Sequence, residues 1–399
     1  MILIVVDSLE RYYFAARLVH AVRGEYDFLF LTSEPVAHLR LKCAGYRSYY
    51  LHKVRNRSME VDESSTEYPY DRSIEVLNGQ VSRERARVES GAVVRRVSSL
   101  LTRFSVTQCF MWNGQQLVCR AASHACLIHG VPRRFLEISN LPGKLFADSS
   151  GVNALSSICR DPAVIDRLPL PDEETHQRWL MNYESAKSRP LPQARTSLKR
   201  KLVSGVNYVL KFASSGVGRK RLASVRARNG GRKPVDIKNY VASELSMQRY
   251  VFLPLQVSGD TQIKLHSEID NLGAIRHALE FAATQDAALL VKLHPAENDE
   301  SAISAIEAMR DRCQFTLVSS PTTDLIKHAQ AVVTINSTVG LEGLLYGKRV
   351  ISLGRCFYKN FDRTRLLKYI HSFLIDGVDY FSSDGIAPEA ARKVFSIEH

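Results

Sequence analysis

Arg249-Tyr-Val-Phe-Leu-Pro-Leu-Gln-Val-Ser-Gly-Asp-Thr-Gln262 is the stretch on which the fold of this chain turns. Its apolar run is too short for an ordinary helix and stops at a polar turn, so it reads as a buried strand that delivers Gln256 and Asp260 to its carboxyl end. Two later runs end alike. Val-Lys-Leu-His-Pro closes at His294 and Pro295, and Val-Val-Thr-Ile-Asn-Ser-Thr closes at Ser337 and Thr338. A carboxylate, an imidazole and a pair of hydroxyls therefore stand at the carboxyl ends of successive apolar strands. Open parallel sheets bind ligands at that edge. The set suits an anionic, phosphate-bearing substrate.

Working outward, apolar runs and helical spacings alternate. Around the opening stretch, strands are expected over 251–256, 287–293, 315–318, 331–335 and 349–353, with helices over 268–284, 301–312, 324–328 and 341–345. The first part of the chain repeats the pattern, with strands over 2–6, 26–31, 48–51, 106–112 and 134–138 and helices over 10–22, 37–44, 81–104 and 117–129. Such alternation favours parallel sheets with covering helices. The expected fold class is α/β, with two Rossmann-like lobes and a cleft between them. The expected division is a first domain over 1–165, a basic, partly helical linker over 166–245, a second domain over 246–375 and a terminal segment over 376–399 that returns to the first lobe. A polar interval from His52 to Asn78 is long for a structureless loop and reads as functional or mobile.

The 399 residues, 45% of them hydrophobic, are enough for two packed domains. No signal peptide is expected, because the opening apolar run is short, meets Asp7 and lacks a basic leader. No apolar stretch approaches the ~20 residues that cross a bilayer. Seven cysteines, odd in number and without a CxxC pair, point to free thiols in a reducing cytoplasm rather than a disulfide frame or a zinc site. The net charge of +13 is concentrated: from Lys187 to Lys233 there are fourteen Lys or Arg and no Asp or Glu. The rest of the chain is near neutral, so the lobes call for no nucleic-acid partner. Within the basic segment, Leu198, Leu202, Val206, Val209 and Leu210 recur at helical spacing among Lys199, Arg200, Lys201 and Lys211. A helix of that kind can lie on an anionic membrane surface, at about 1 kcal/mol per basic residue. A solvated basic helix or flexible linker explains the same residues.

Each candidate residue has a plain structural role to set beside a chemical one. Ser337 and Thr338 open a helix, whose start can hold an anion or can simply be capped by a hydroxyl. His294, stiffened by Pro295, can bind a phosphate or help it leave, or be a surface histidine. Asp260 follows Gly259, with Gln256 and Gln262 able to orient it or touch sugar hydroxyls, yet Gly-Asp is ordinary turn chemistry. Glu137 ends an apolar strand, and the segment 140–157, with Asp148, Gly151 and Asn153, reads as a shaped loop contacting sugar. Glu137 and Asp260, one per lobe, can supply the two carboxyl groups of a retaining sugar transfer. No Asp-x-Asp pair occurs, so no metal cofactor is expected; the helix start, Lys292 and His294 would offset phosphate charge.

Those positions give the chain a resemblance to the bacterial capsule polysaccharide biosynthesis and export family, whose characterised members are β-Kdo glycosyltransferases. The resemblance is carried by Leu136-Glu137 through Gly143, Asp148 through Asn153, Leu255-Gln256 through Gln262, Lys292 through Pro295 and Asn336 through Glu342, within roughly 106–354. It implies a GT-B-like enzyme that transfers Kdo, or a related acidic sugar, from a CMP donor with retention onto a lipid-linked glycan in capsule or lipopolysaccharide synthesis. Carried over by position, Asp260 is the nucleophile and Glu137 the acid/base. His294, Ser337 and Thr338 hold the CMP phosphate, and Glu342 reaches the ribose. The expected location is cytoplasmic and peripheral at the inner membrane. The alternatives are a GT-B transferase with a UDP-sugar or CDP-polyol donor, and a non-catalytic polysaccharide assembly or export factor.

Overall fold

The computed structural model describes residues 1–52, 70–139, 141–187, 198–214, 216–217 and 236–396. The chain forms two compact units, Met1–Arg221 with Leu367–His399, and Leu222–Leu366. Each is an α/β layer structure built on a mainly parallel sheet, as the alternating pattern predicts.

In the second unit the described strands are β7 (Tyr250–Pro254), β8 (Ala288–Lys292), β9 (Thr316–Leu317), β10 (Ala331–Thr334) and β11 (Arg349–Ser352), in the spatial order β11-β10-β7-β8-β9. All the pairings are parallel. The continuous apolar run of β7 is explained by burial on both faces. Val251, Leu253 and Leu255 pack with Ala274, Ile275 and Ala278 of the helix Asn271–Thr284. Tyr250 and Phe252 face the other way, with Leu325 and Ile326 of the helix Thr322–His328. The side-chain period of two assigns these residues to opposite faces.

The first unit uses the same plan. Its strands β1 (Ile2–Val6), β2 (Phe28–Thr32), β3 (Arg47–Tyr50), β4 (Gln108–Trp112) and β5 (Arg133–Ile138) run parallel in the order β5-β4-β1-β2-β3. The order in which strands are added therefore reverses between β1 and β4 here, and between β7 and β10 in the second unit. Such switch points are where doubly wound sheets receive ligands.

Two features differ from expectation, one in the segment 140–157 and one in the span from 166. The segment 140–157 is not all loop: β6 (Lys144–Asp148) pairs antiparallel with β5, opposing Glu137 to Phe146. A short β12 (Ile375–Asp376) then pairs antiparallel with β6, which ties the terminal segment to the first unit. The span expected as a linker from 166 also packs largely into the first unit, through the helices Glu173–Lys187 and Leu198–Ala213. Its anchor is a buried ion pair, Lys211 to Glu34 at 2.6 Å, with Asn207 donating to the same carboxylate at 2.5 Å. Of the expected polar interval, 53–69 lies outside the described residues; its end folds as the helix Ile74–Leu77.

Glu34 and Lys211 are 6% and 7% exposed, so removing one partner leaves a charge without compensation in a desolvated place. Lys211→Ala is expected to destabilise the first unit by about 3 kcal/mol, read as a shifted midpoint in denaturant unfolding of the full chain.

Candidate active site

The strand ends of the second unit are organised by one buried side chain. Gln256, 6% exposed and two residues past β7, lies between the carboxyl ends of β7 and β10. Its amide Nε2 donates to Asp260 Oδ2 (3.2 Å) and Asn336 Oδ1 (3.0 Å), and its Oε1 accepts from the Asn336 N–H (3.2 Å). Its backbone is held by a reciprocal pair with Asn271, at 3.3 and 2.7 Å. Asn336 Nδ2 reaches the Gln262 carbonyl at 3.0 Å. Gln256, Asp260, Gln262 and Asn336 thus form a single network across the switch point.

Asp260 is half-buried and caps the helix Thr261–His266, its Oδ1 accepting from the Gln262 N–H at 2.9 Å. The cap and the Gln256 contact use one oxygen each and fix the rotamer. Each carboxylate oxygen retains a second lone pair for a ligand.

Ser337 caps the helix Thr338–Leu345, its hydroxyl accepting from the Val339 N–H at 3.2 Å. The cap is itself clamped, because Tyr358 donates to the Ser337 carbonyl. A Cβ at Gly340 would sit 2.6 Å from the Tyr358 hydroxyl oxygen, so glycine there is a packing requirement. Thr338 is half-buried beside Ser337, and Glu342 is buried on the same helix.

His294 and Pro295 are exposed, just past β8. His294 Nδ1 accepts from the Ala296 N–H at 3.1 Å, which assigns the neutral ring's proton to Nε2 and makes that nitrogen a donor. The neighbouring Glu297 ties the two loops together, accepting from the Ser258 N–H at 2.6 Å and its hydroxyl at 2.5 Å. Burial would raise the Glu297 carboxyl, but these bonds and those from Asn298 and Asp299 hold it below the usual range. Lys292 is placed otherwise than expected. Its ammonium meets the Ser320 carbonyl (2.6 Å) and Thr322 Oγ1 (3.0 Å), on the β9 side, and burial lowers its pKa. Two of its three N–H groups thus hold the segment after β9.

In the first unit, Glu137 lies near the end of β5 and its Oε2 accepts from Asn113 Nδ2 at 2.9 Å. Burial raises the Glu137 carboxyl above its ordinary range, partly offset by Asn113, the Ile138 N–H and the charge of Arg11. Asn113 follows β4, and its Oδ1 accepts from the Gln115 N–H at 3.1 Å. The next residue, Gly114, has φ +72, and a Cβ there would lie 2.6 Å from the Phe135 ring, so only glycine lets the chain turn away. Arg11 bonds both oxygens of Asp7 at the end of β1, at 2.6 and 2.5 Å. With its amide in the orientation that satisfies its neighbours, Gln116 accepts from Arg11 and donates to Asn113. Asp7, Arg11, Asn113, Gln116 and Glu137 are thus linked at the β1/β4 switch point. Asp7, Arg11, Asn113 and Gln116 escaped the sequence reading, although Asp7 and Asn113 hold the same strand-end position as the residues it chose.

Of Asp148 and Asn153, expected as sugar contacts, Asp148 is placed as framework. Asp148 is fully buried, and its oxygens accept from the N–H groups of Ser150 (2.6 Å), Gly151 (3.1 Å) and Ser157 (2.9 Å), and from the Ser157 hydroxyl (2.6 Å). Asn153, at φ +52, opens the short turn Asn153–Leu155, and its carbonyl accepts from Ser156 at 2.6 Å.

Residues 133–364, more than half of the chain, match the family model described as capsule polysaccharide biosynthesis protein. The chain is 26% identical over 243 residues to the capsule polysaccharide export protein KpsS of Escherichia coli, covering 54% of this chain and 59% of that one. It is 29% identical over 126 residues to the capsule polysaccharide modification protein LipB of Neisseria meningitidis, covering 28% and 29%. The aligned part therefore spans less than two thirds of either relative. A solved structure titled KpsC, β-Kdo 2,7 transferase, from Thermosulfurimonas dismutans aligns over 75% of this chain and 88% of its own at 16% identity, with a TM-score of 0.40.

Proposed function

This chain belongs to the capsule polysaccharide biosynthesis protein family, and from that premise we propose that it is a glycosyltransferase moving Kdo, or a related acidic sugar, from a CMP donor to a glycolipid acceptor with retention. The observation that supports this best is the Gln256–Asp260–Asn336 network, which holds a carboxylate in one rotamer at the switch point of the second sheet.

In this reading an Asp260 oxygen attacks the anomeric carbon, and the bond from that carbon to the phosphate oxygen breaks with its electron pair leaving on CMP. An acceptor hydroxyl then attacks the same carbon, Glu137 takes the hydroxyl proton, and the bond to Asp260 breaks to restore the carboxylate. Two inversions give net retention. A base works best with a pKa near the operating pH, which the burial of Glu137 favours. The Nε2–H of His294 and the start of the helix Thr338–Leu345 receive the donor phosphate, with Ser337 and Thr338 at its mouth. No resident metal is assigned a role. The enzyme would work at the cytoplasmic face of the inner membrane, where its acceptor lies; among the described residues no helix is long and apolar enough to cross a membrane.

Thermal melts with CMP, CDP and UDP test the donor class, since a ligand bound only by the folded chain raises Tm. CMP is expected to raise it most. A larger shift with UDP or CDP would replace the donor assigned here, and CMP binding without any transfer would favour an assembly or export role.

A further inference from the structure

The helix Leu198–Ala213 is docked the wrong way round for a soluble protein. Its polar residues Asn207 and Lys211, one turn apart, face inward onto Glu34 and are 6% and 7% exposed. Asn207 Oδ1 also accepts from the Val36 N–H at 3.1 Å. On the far side Leu202, Val206 and Val209 are 70%, 48% and 64% exposed, and Leu210 and Phe212 lie in the open beside them. Amphipathic helices of soluble domains turn their apolar stripe to the core. Here an ion pair takes that place and the stripe is presented outward.

Two further observations indicate what covers it. The helix carries basic residues and no Asp or Glu, within a segment that holds fourteen Lys or Arg and no acid. The exposed face itself forms a shallow depression lined by Leu202, Gly205, Val206, Val209 and Leu210 with Lys201 at its side. Apolar side chains framed by cations match an anionic bilayer, with hydrocarbon beneath phosphate.

We propose that the Leu202–Val206–Val209 face of this helix inserts into the headgroup layer of an anionic phospholipid bilayer, with Lys201 against lipid phosphates. This deepens the reading of a glycolipid acceptor by naming the surface that brings the chain to it. It rests on that reading for its purpose, while its test involves no turnover, so either can fail alone.

The test is flotation of the full chain with phosphatidylcholine vesicles, with and without phosphatidylglycerol. Binding is expected to require phosphatidylglycerol and to fall as salt rises above about 0.1 M, where charge attraction is screened within ~10 Å. The triple variant Leu202→Glu, Val206→Glu, Val209→Glu is expected to lose at least tenfold in vesicle partitioning, with the melting temperature of the parent. Lys201→Glu, a change at an exposed position, is expected to reduce partitioning in low salt only, and it keeps the test decisive should the triple variant misfold. Failure of the parent chain to bind would overturn the proposal, as would unchanged binding by both variants. A concentration-dependent dimer in sedimentation that the triple variant dissolves would also overturn it, because the face would then belong to a second copy.

Discussion

Asp260→Asn is expected to lower sugar transfer by at least about 10³-fold while leaving the fold intact, the scale on which loss of a covalent nucleophile acts. Asparagine is as good a helix cap as aspartate, so it can keep the bond to the Gln262 N–H that Asp260 Oδ1 now accepts at 2.9 Å. What it removes is the anionic oxygen that would bond to the anomeric carbon. The amide NH₂ cannot accept from Gln256 Nε2 as Oδ2 does, so stability should fall by about 1 kcal/mol while CMP binding stays near the parent value and turnover collapses. Melting curves with and without CMP, measured beside initial rates, separate chemistry from folding. Turnover within a few-fold of the parent would remove Asp260 from the mechanism.

The second large effect concerns Glu137, through the pH dependence of the rate. A general base contributes about 10²–10⁴-fold, and Glu137→Gln is expected to lose an amount in that range. The direction of the pH effect follows from the raised carboxyl. A base must be ionised, and burial of Glu137 favours its protonated form, so the rate should fall as pH drops through an inflection above the ordinary carboxylate range. Glu137→Gln should abolish that acidic limb. Asn113→Ala removes a hydrogen bond to the carboxylate that holds its pKa down, so the inflection should move further up in pH while kcat at high pH changes less. A merely structural Asn113 would alter rate or stability without moving the inflection.

The parts legible in the sequence are those set by local periodicity. The run of β7, apolar on both faces, could be placed from composition alone, and the polar residues after β7, β8 and β10 follow once those strands are placed. β6 was not legible. Five residues between Gly143 and a Ser-Ser-Gly turn look like loop, and antiparallel pairing with β5 is a long-range event. Side-chain direction was hidden as well. Asp148 and Asp260 both follow or end strands beside small polar residues, yet the first spends both oxygens on its own turn and the second keeps capacity for a ligand. Lys292, two residues before His294 in sequence, turns to Ser320 and Thr322, which offer it a carbonyl and a hydroxyl in a half-buried place. The basic helix was visible by its spacing, but which face it buries depended on Glu34, 177 residues from Lys211.

Intact-protein mass spectrometry after incubation with CMP-Kdo and no acceptor tests the proposed chemistry most directly. The expected result is a covalent adduct of one sugar residue, mapped by peptide fragmentation to Asp260 and absent from Asp260→Asn. An unmodified protein that nonetheless transfers Kdo to acceptor, or an adduct mapped to another residue, would contradict the nucleophile assigned here.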